Sequence, residues 1–120
     1  MPEIKDKKYG KTAFYIDGNE IKDKKYGSTL FYIDGNEVRE KSRNGHVKFH
    51  FDNFEIKRES RYGKIQYHVE NNEVKDKKYG TLIYYIDGNE IKEKTKYGQV
   101  KYYIDGSLTN DQLMSLIAII

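Results

Sequence analysis

A glycine recurs every 17 or 18 residues along this chain, at Gly10, Gly27, Gly45, Gly63, Gly80 and Gly98, and five of the six follow a tyrosine (Tyr9, Tyr26, Tyr62, Tyr79, Tyr97). A second mark lies a fixed distance beyond each: Asp17-Gly18, Asp34-Gly35, Asp52-Asn53, Glu70-Asn71, Asp87-Gly88 and Asp105-Gly106. Units this short cannot bury an apolar face alone, so all six must share one interior.

Positions two, four and six after each glycine read Thr12/Phe14/Ile16, Thr29/Phe31/Ile33, Val47/Phe49/Phe51, Ile65/Tyr67/Val69, Leu82/Tyr84/Ile86 and Val100/Tyr102/Ile104. Alternation at period two, filled with β-branched and aromatic residues, predicts a strand with one buried face. After the second mark comes a polar segment with a single apolar anchor: Ile21, Val38, Ile56, Val74 and Ile91, with Ile4 in the same position ahead of the first glycine. Asp-Gly between two such segments is a hairpin signal, because Gly takes positive φ freely and Asp or Asn tolerates it. A turn centred on Asp17-Gly18 sets Phe14 against Ile21, and one centred on Gly18-Asn19 sets Ile16 there; both put apolar side chains together. Asn53 and Asn71 replace the turn glycine in the third and fourth units, at a cost of up to ~1 kcal/mol each, which predicts less rigid turns there.

The expected fold is therefore all-β: an antiparallel meander of about a dozen short strands, with the one-residue variation in period absorbed before the Tyr-Gly. A parallel β-solenoid is the alternative, and closure into a barrel, an open layer or blades stays undecided. Residues 1–106 form the array. Over residues 107–120 period two is lost, Thr109 and Gln112 stand at capping-box spacing, and Leu113, Met114, Leu116, Ile117, Ile119 and Ile120 follow. This predicts a helical cap from about Asn110. It is apolar nearly all round, so either the sheet or a second copy must cover it.

The chain has 120 residues, 37% hydrophobic and 34% charged, with net charge +3 and no cysteine. Disulfides and thiolate metal sites are excluded. No apolar stretch follows the first lysines, and the apolar run at Leu113–Ile120 is far shorter than the ~20 residues of a membrane span; cytoplasmic residence without a span is expected. No glycine-rich phosphate loop and no nucleophile elbow occurs. His50 and His68 fall on strands separated by another, about 9.5 Å apart, too far to share an ion. The expectation is a non-enzymatic protein with no catalytic, cofactor-binding or metal-ligating residues.

Two surfaces are candidates for contact. Five residues after each glycine runs a column of Tyr15, Tyr32, His50, His68, Tyr85 and Tyr103, whose rings could stack on sugars, unpaired bases or one another. The excess positive charge gathers in the middle units at Arg39, Lys41, Arg43, Lys48, Lys57, Arg58, Arg61 and Lys64.

Units such as Tyr26–Gly35 (YGSTLFYIDG) and Tyr79–Gly88 (YGTLIYYIDG) resemble those of uncharacterised bacterial proteins built from tandem short β-hairpin repeats. More distantly, glycine, aromatic strand and Asp-Gly are similar to half of a MORN repeat. That resemblance implies a hairpin module that binds proteins or membrane lipids. The functional expectation is a repeat scaffold or protein-binding module using the Tyr/His column. Its alternatives are nucleic-acid binding through the basic middle units, or a homo-oligomer assembled through the C-terminal helix or the column.

Overall fold

The computed structural model describes residues 1–52 and 54–120. The longer strand of each unit is β2 (Thr12–Asp17), β4 (Thr29–Asp34), β6 (Val47–Asp52), β8 (Ile65–Glu70), β10 (Leu82–Asp87) and β12 (Val100–Asp105). The shorter strands are β1 (Glu3–Lys5), β3 (Glu20–Lys22), β5 (Glu37–Glu40), β7 (Glu55–Arg58), β9 (Glu73–Lys75) and β11 (Glu90–Glu93), and one helix follows, α1 (Asn110–Ile119). Every strand pairs antiparallel with its chain neighbours, and β1 pairs with β12, so the meander closes into a barrel. Closure removes the edges that would otherwise template aggregation.

The turns settle the register. Ile16 lies opposite Ile21 and Asp17 opposite Glu20, so Gly18-Asn19 is the two-residue loop. Gly18, Gly35 and Gly88 have φ near +60°, and no asparagine that follows them is positive. Positive φ at the first loop position alone is the type II′ pattern rather than the type I′ of an Asp-Gly centre. The fourth unit has no glycine here, and both Asn71 and Asn72 take positive φ, as a type I′ turn requires. Asn53 lies outside the described residues.

The last hairpin is divided between the two ends of the sequence. Where β2 pairs with β3 inside one unit, β12 pairs with β1: Ile104 lies opposite Ile4 and Asp105 opposite Glu3. Each turn's second residue accepts a backbone hydrogen bond from the next long strand, as Asn19 does from Ile33, and Pro2 does the same for Ile16. Ile4 is thus the sixth anchor, and all six anchors are buried.

The expected alternation fails at one point in every long strand. Ile4 pairs with Phe14 but Lys5 pairs with Thr12, skipping Ala13, and equivalent shifts occur in the other units. A bulge of this kind puts one extra residue on the longer strand and reverses which face the residues beyond it occupy. The position-two residues therefore leave the core face: the Thr12 and Thr29 hydroxyls donate to the Glu3 and Glu20 carboxylates on the outer wall.

Eight strands make a barrel that side chains alone can fill, and diameter grows with strand number. Twelve leave a lumen too wide, and α1 occupies it. Met114, Leu116, Ile117 and Ala118 are buried in one cluster with Ile16, Ile33, Phe51, Ile86, Ile104 and the six anchors; Phe14, Phe31, Phe49, Tyr67 and Tyr102 pack against that cluster, and Tyr84 lies within it. Thr109 caps the helix in a complete capping box with Gln112, and the Gln112 side chain also donates to the Gly18 carbonyl at 2.9 Å. The helix is covered by its own barrel. Among the described residues no helix is long and apolar enough to cross a membrane.

Candidate functional site

Up-and-down connectivity divides the barrel into an outer wall, an end carrying the two-residue turns, and an opposite rim carrying the six longer loops. These loops span residues 6–11, 23–28, 41–46, 59–64, 76–81 and 94–99.

On the outer wall, each member of the Tyr/His column sits between charged residues of the two flanking strands. Tyr15 pairs across to Glu3 and Lys22, Tyr32 to Glu20 and Arg39, His50 to Glu37 and Lys57, His68 to Glu55 and Lys75, Tyr85 to Glu73 and Lys92, and Tyr103 to Glu90 and Lys5. Those charges join in ion pairs, among them Lys5–Asp105 at 3.0 Å, Lys92–Asp87 at 2.9 Å and Arg39–Glu37 at 2.8 Å. The Asp105 hydrogen bond raises the Lys5 pKa. The Lys92–Asp87 hydrogen bond raises the lysine and lowers the aspartate. Long lysine stems laid across the wall leave the tyrosines half-buried and the two histidines buried. His68 Nε2 lies 3.0 Å from Glu70 Oε1, and its ring packs 6.0 Å from that of Phe54. The column is therefore a packed layer under an ion-pair lattice, with little ring face left open. Among the described residues no group of three or more His, Asp or Glu side chains is gathered to hold a metal ion.

The basic middle stretch divides. Arg39, Lys48 and Lys57 are held by wall carboxylates, and Arg58 Nε donates to Gln66 Oε1 at 2.6 Å. Lys41, Arg43, Arg61 and Lys64 stand on rim loops, where they join the basic residues of the other four loops.

The rim is the feature that reading along the chain did not isolate. Its six loops hold thirteen Lys and Arg against four Asp and Glu, nine more positive charges than negative, whereas the rest of this +3 chain carries six more negative. None of the rim cations forms an ion pair among the described residues; every lysine or arginine that does belongs to a strand. Beside these free cations stand the five Tyr-Gly tyrosines, between 84% and 91% exposed. The preceding cation lies 5.1–5.7 Å from the ring centroid at Tyr9, Tyr26, Tyr62 and Tyr79. The only signal available in the sequence was the repeated Lys/Arg-Tyr-Gly tripeptide, whose glycine marks the loop and whose tyrosine has no neighbour along the chain to show that it protrudes.

The loops differ in build. The third, fourth and sixth units carry one more residue between anchor and glycine, and there Lys41, Glu59 and Lys94 open the loop at φ between 63° and 66°. A Cβ on Gly45, Gly63 or Gly98 would collide with the carbonyl oxygen of Glu40, Arg58 or Glu93, so those glycines let the loop fold tightly over its own strand. Arg58 stands where the other units carry Asp6, Asp23, Glu40, Asp76 and Glu93. It edges an open cleft of about 380 Å³ with Lys64, Gln66, Tyr67, Asp76 and Ile83.

No family model, curated protein or solved structure matches the chain.

Proposed function

We propose that the chain is a non-enzymatic binding module, a closed hairpin scaffold that holds an anionic macromolecule at its rim. The observation that carries this reading is the separation of cations into two populations. Wall lysines are spent on wall carboxylates, while the rim lysines and arginines have no carboxylate partner among the described residues and surround five exposed tyrosines. A cluster of one sign raises the local concentration of oppositely charged partners and speeds their capture. The plugged interior fits a part that is rigid rather than one that opens around a substrate. A chain without cysteine also needs no oxidising compartment, which suits a cytoplasmic setting.

Retention on immobilised heparin tests it. Lys24→Gln, Lys25→Gln, Lys77→Gln and Lys78→Gln together remove four rim charges; Lys5→Gln, Lys22→Gln, Lys75→Gln and Lys92→Gln remove four wall charges and give the same net charge. The rim variant should elute at clearly lower salt than the wall variant, with both folds verified by circular dichroism. Equal elution would show that total charge alone sets retention and would sink the reading.

A further inference from the structure

We infer that the anionic partner is a single-stranded nucleic acid, lying along the rim with bases stacked on the loop tyrosines and phosphates on the neighbouring lysines and arginines; this rests on the rim being the contact surface. Three observations select it. The tyrosines protrude almost fully, and at four of them a cation lies over the ring, 5.1–5.7 Å from its centroid, while the residue stays at least 84% exposed. Base–aromatic stacking accepts any base, since each offers a π face.

The second is spacing. Successive rim loops are two strands apart, about 9.5 Å along the barrel wall, and five of the six repeat the same cation-tyrosine step around a molecule 39 × 36 × 17 Å in extent. A flexible polyanion follows such a curved track, whereas a stiff duplex touches only part of it. The third is what the loops lack. Residues 6–11, 23–28, 41–46, 59–64, 76–81 and 94–99 contain no Leu, Ile, Val, Met, Phe or Trp, the residues that would wedge into a bilayer. The cleft beside Arg58, edged by Gln66 and Asp76, interrupts the repeat at one place and offers hydrogen-bonding groups to one splayed base.

The test is fluorescence anisotropy with labelled oligouridine and oligothymidine of about twenty nucleotides, a duplex of equal length and phosphatidylserine vesicles, all with the full chain. The chain has no tryptophan, so its own emission is tyrosine emission, and stacked bases should quench it. Single strands should bind in preference to duplex and vesicles. Affinity should fall about two orders of magnitude or more between roughly 50 and 200 mM salt, as six phosphate contacts require. Tyr26→Ser with Tyr79→Ser should weaken binding about tenfold or more and reduce the quenching, while retention on heparin, set by charge, stays nearly unchanged.

Preference for duplex or vesicles, or affinity indifferent to the two tyrosines, overturns the inference. Failure to bind single strands while heparin retention still depends on the rim lysines overturns this inference alone. If neither responds to the rim lysines, the proposed function falls with it. An advantage of oligouridine over oligothymidine would assign RNA, and parity would assign single strands of either sugar.

Discussion

Wall and rim are made from the same few residue types, yet lysine and tyrosine meet opposite fates in them. On the wall, strand geometry brings each Lys within reach of Asp and Glu on its own or a neighbouring strand, and each Tyr or His is half-buried or buried beneath them. On the rim the same side chains extend from loops with no opposing strand. Tyr32 and Tyr26, in neighbouring loop and strand, therefore differ in role: one packs and one protrudes. Location in the closed barrel, rather than residue type, decides which cations are available to a partner.

The sharpest way to break this contrast is to open the wall. Deleting residues 1–5 removes β1 and with it Ile4, fully buried, and the ladder to β12. The expected loss exceeds the ~2–5 kcal/mol of a single buried isoleucine and exposes two strand edges, read as a collapsed urea midpoint and aggregation by light scattering. Next comes Ile21→Ala, expected to cost ~2–5 kcal/mol in equilibrium urea unfolding, whereas Tyr26→Ser on the rim should change stability by less than about 0.5 kcal/mol. If the two cost the same, the division between a stabilising wall and a free rim is wrong.

Gly35→Ala should cost about 1–2 kcal/mol, through backbone strain alone: φ is +59° there and no atom obstructs a Cβ. The smallest effect is that of pH on the wall lattice. The Asp87 pKa is lowered in the fold, so its contribution is complete above the unfolded aspartate value of about 3.9 and fades as pH falls through the folded value. Lys5 and Lys92 are raised, so theirs is complete below about 10.4 and fades as pH climbs through the folded values. Lys92→Gln should remove part of both slopes in urea midpoints measured across pH, and unchanged slopes would count against the lattice. These pairs remain partly open to solvent, so the effect is small.

Much of this was legible in the chain. The repeat of Gly10 to Gly98, the period-two runs and the Thr109/Gln112 capping box specify hairpins and a terminal helix, because backbone preference and local hydrogen bonding act over a few residues. The turn centre was not, since Phe14 or Ile16 opposite Ile21 satisfies the same apolar pattern, and only the turn geometry at Gly18 separates them. The bulge at Ala13 was likewise invisible: it is a relation between two strands of unequal length rather than a property of either one.

Residue order alone determined what each segment is, down to an apolar helix that had to be covered. Tertiary structure decided what each segment meets. Closure of β1 on β12 sets the lumen that α1 fills, hides His50 and His68 under wall charges, and collects six distant Tyr-Gly or Asn-Gly loops into one basic rim. The reason is physical: hairpin propensity is short-ranged and readable along the chain, whereas ring closure and charge pairing are long-range and depend on which strands become neighbours.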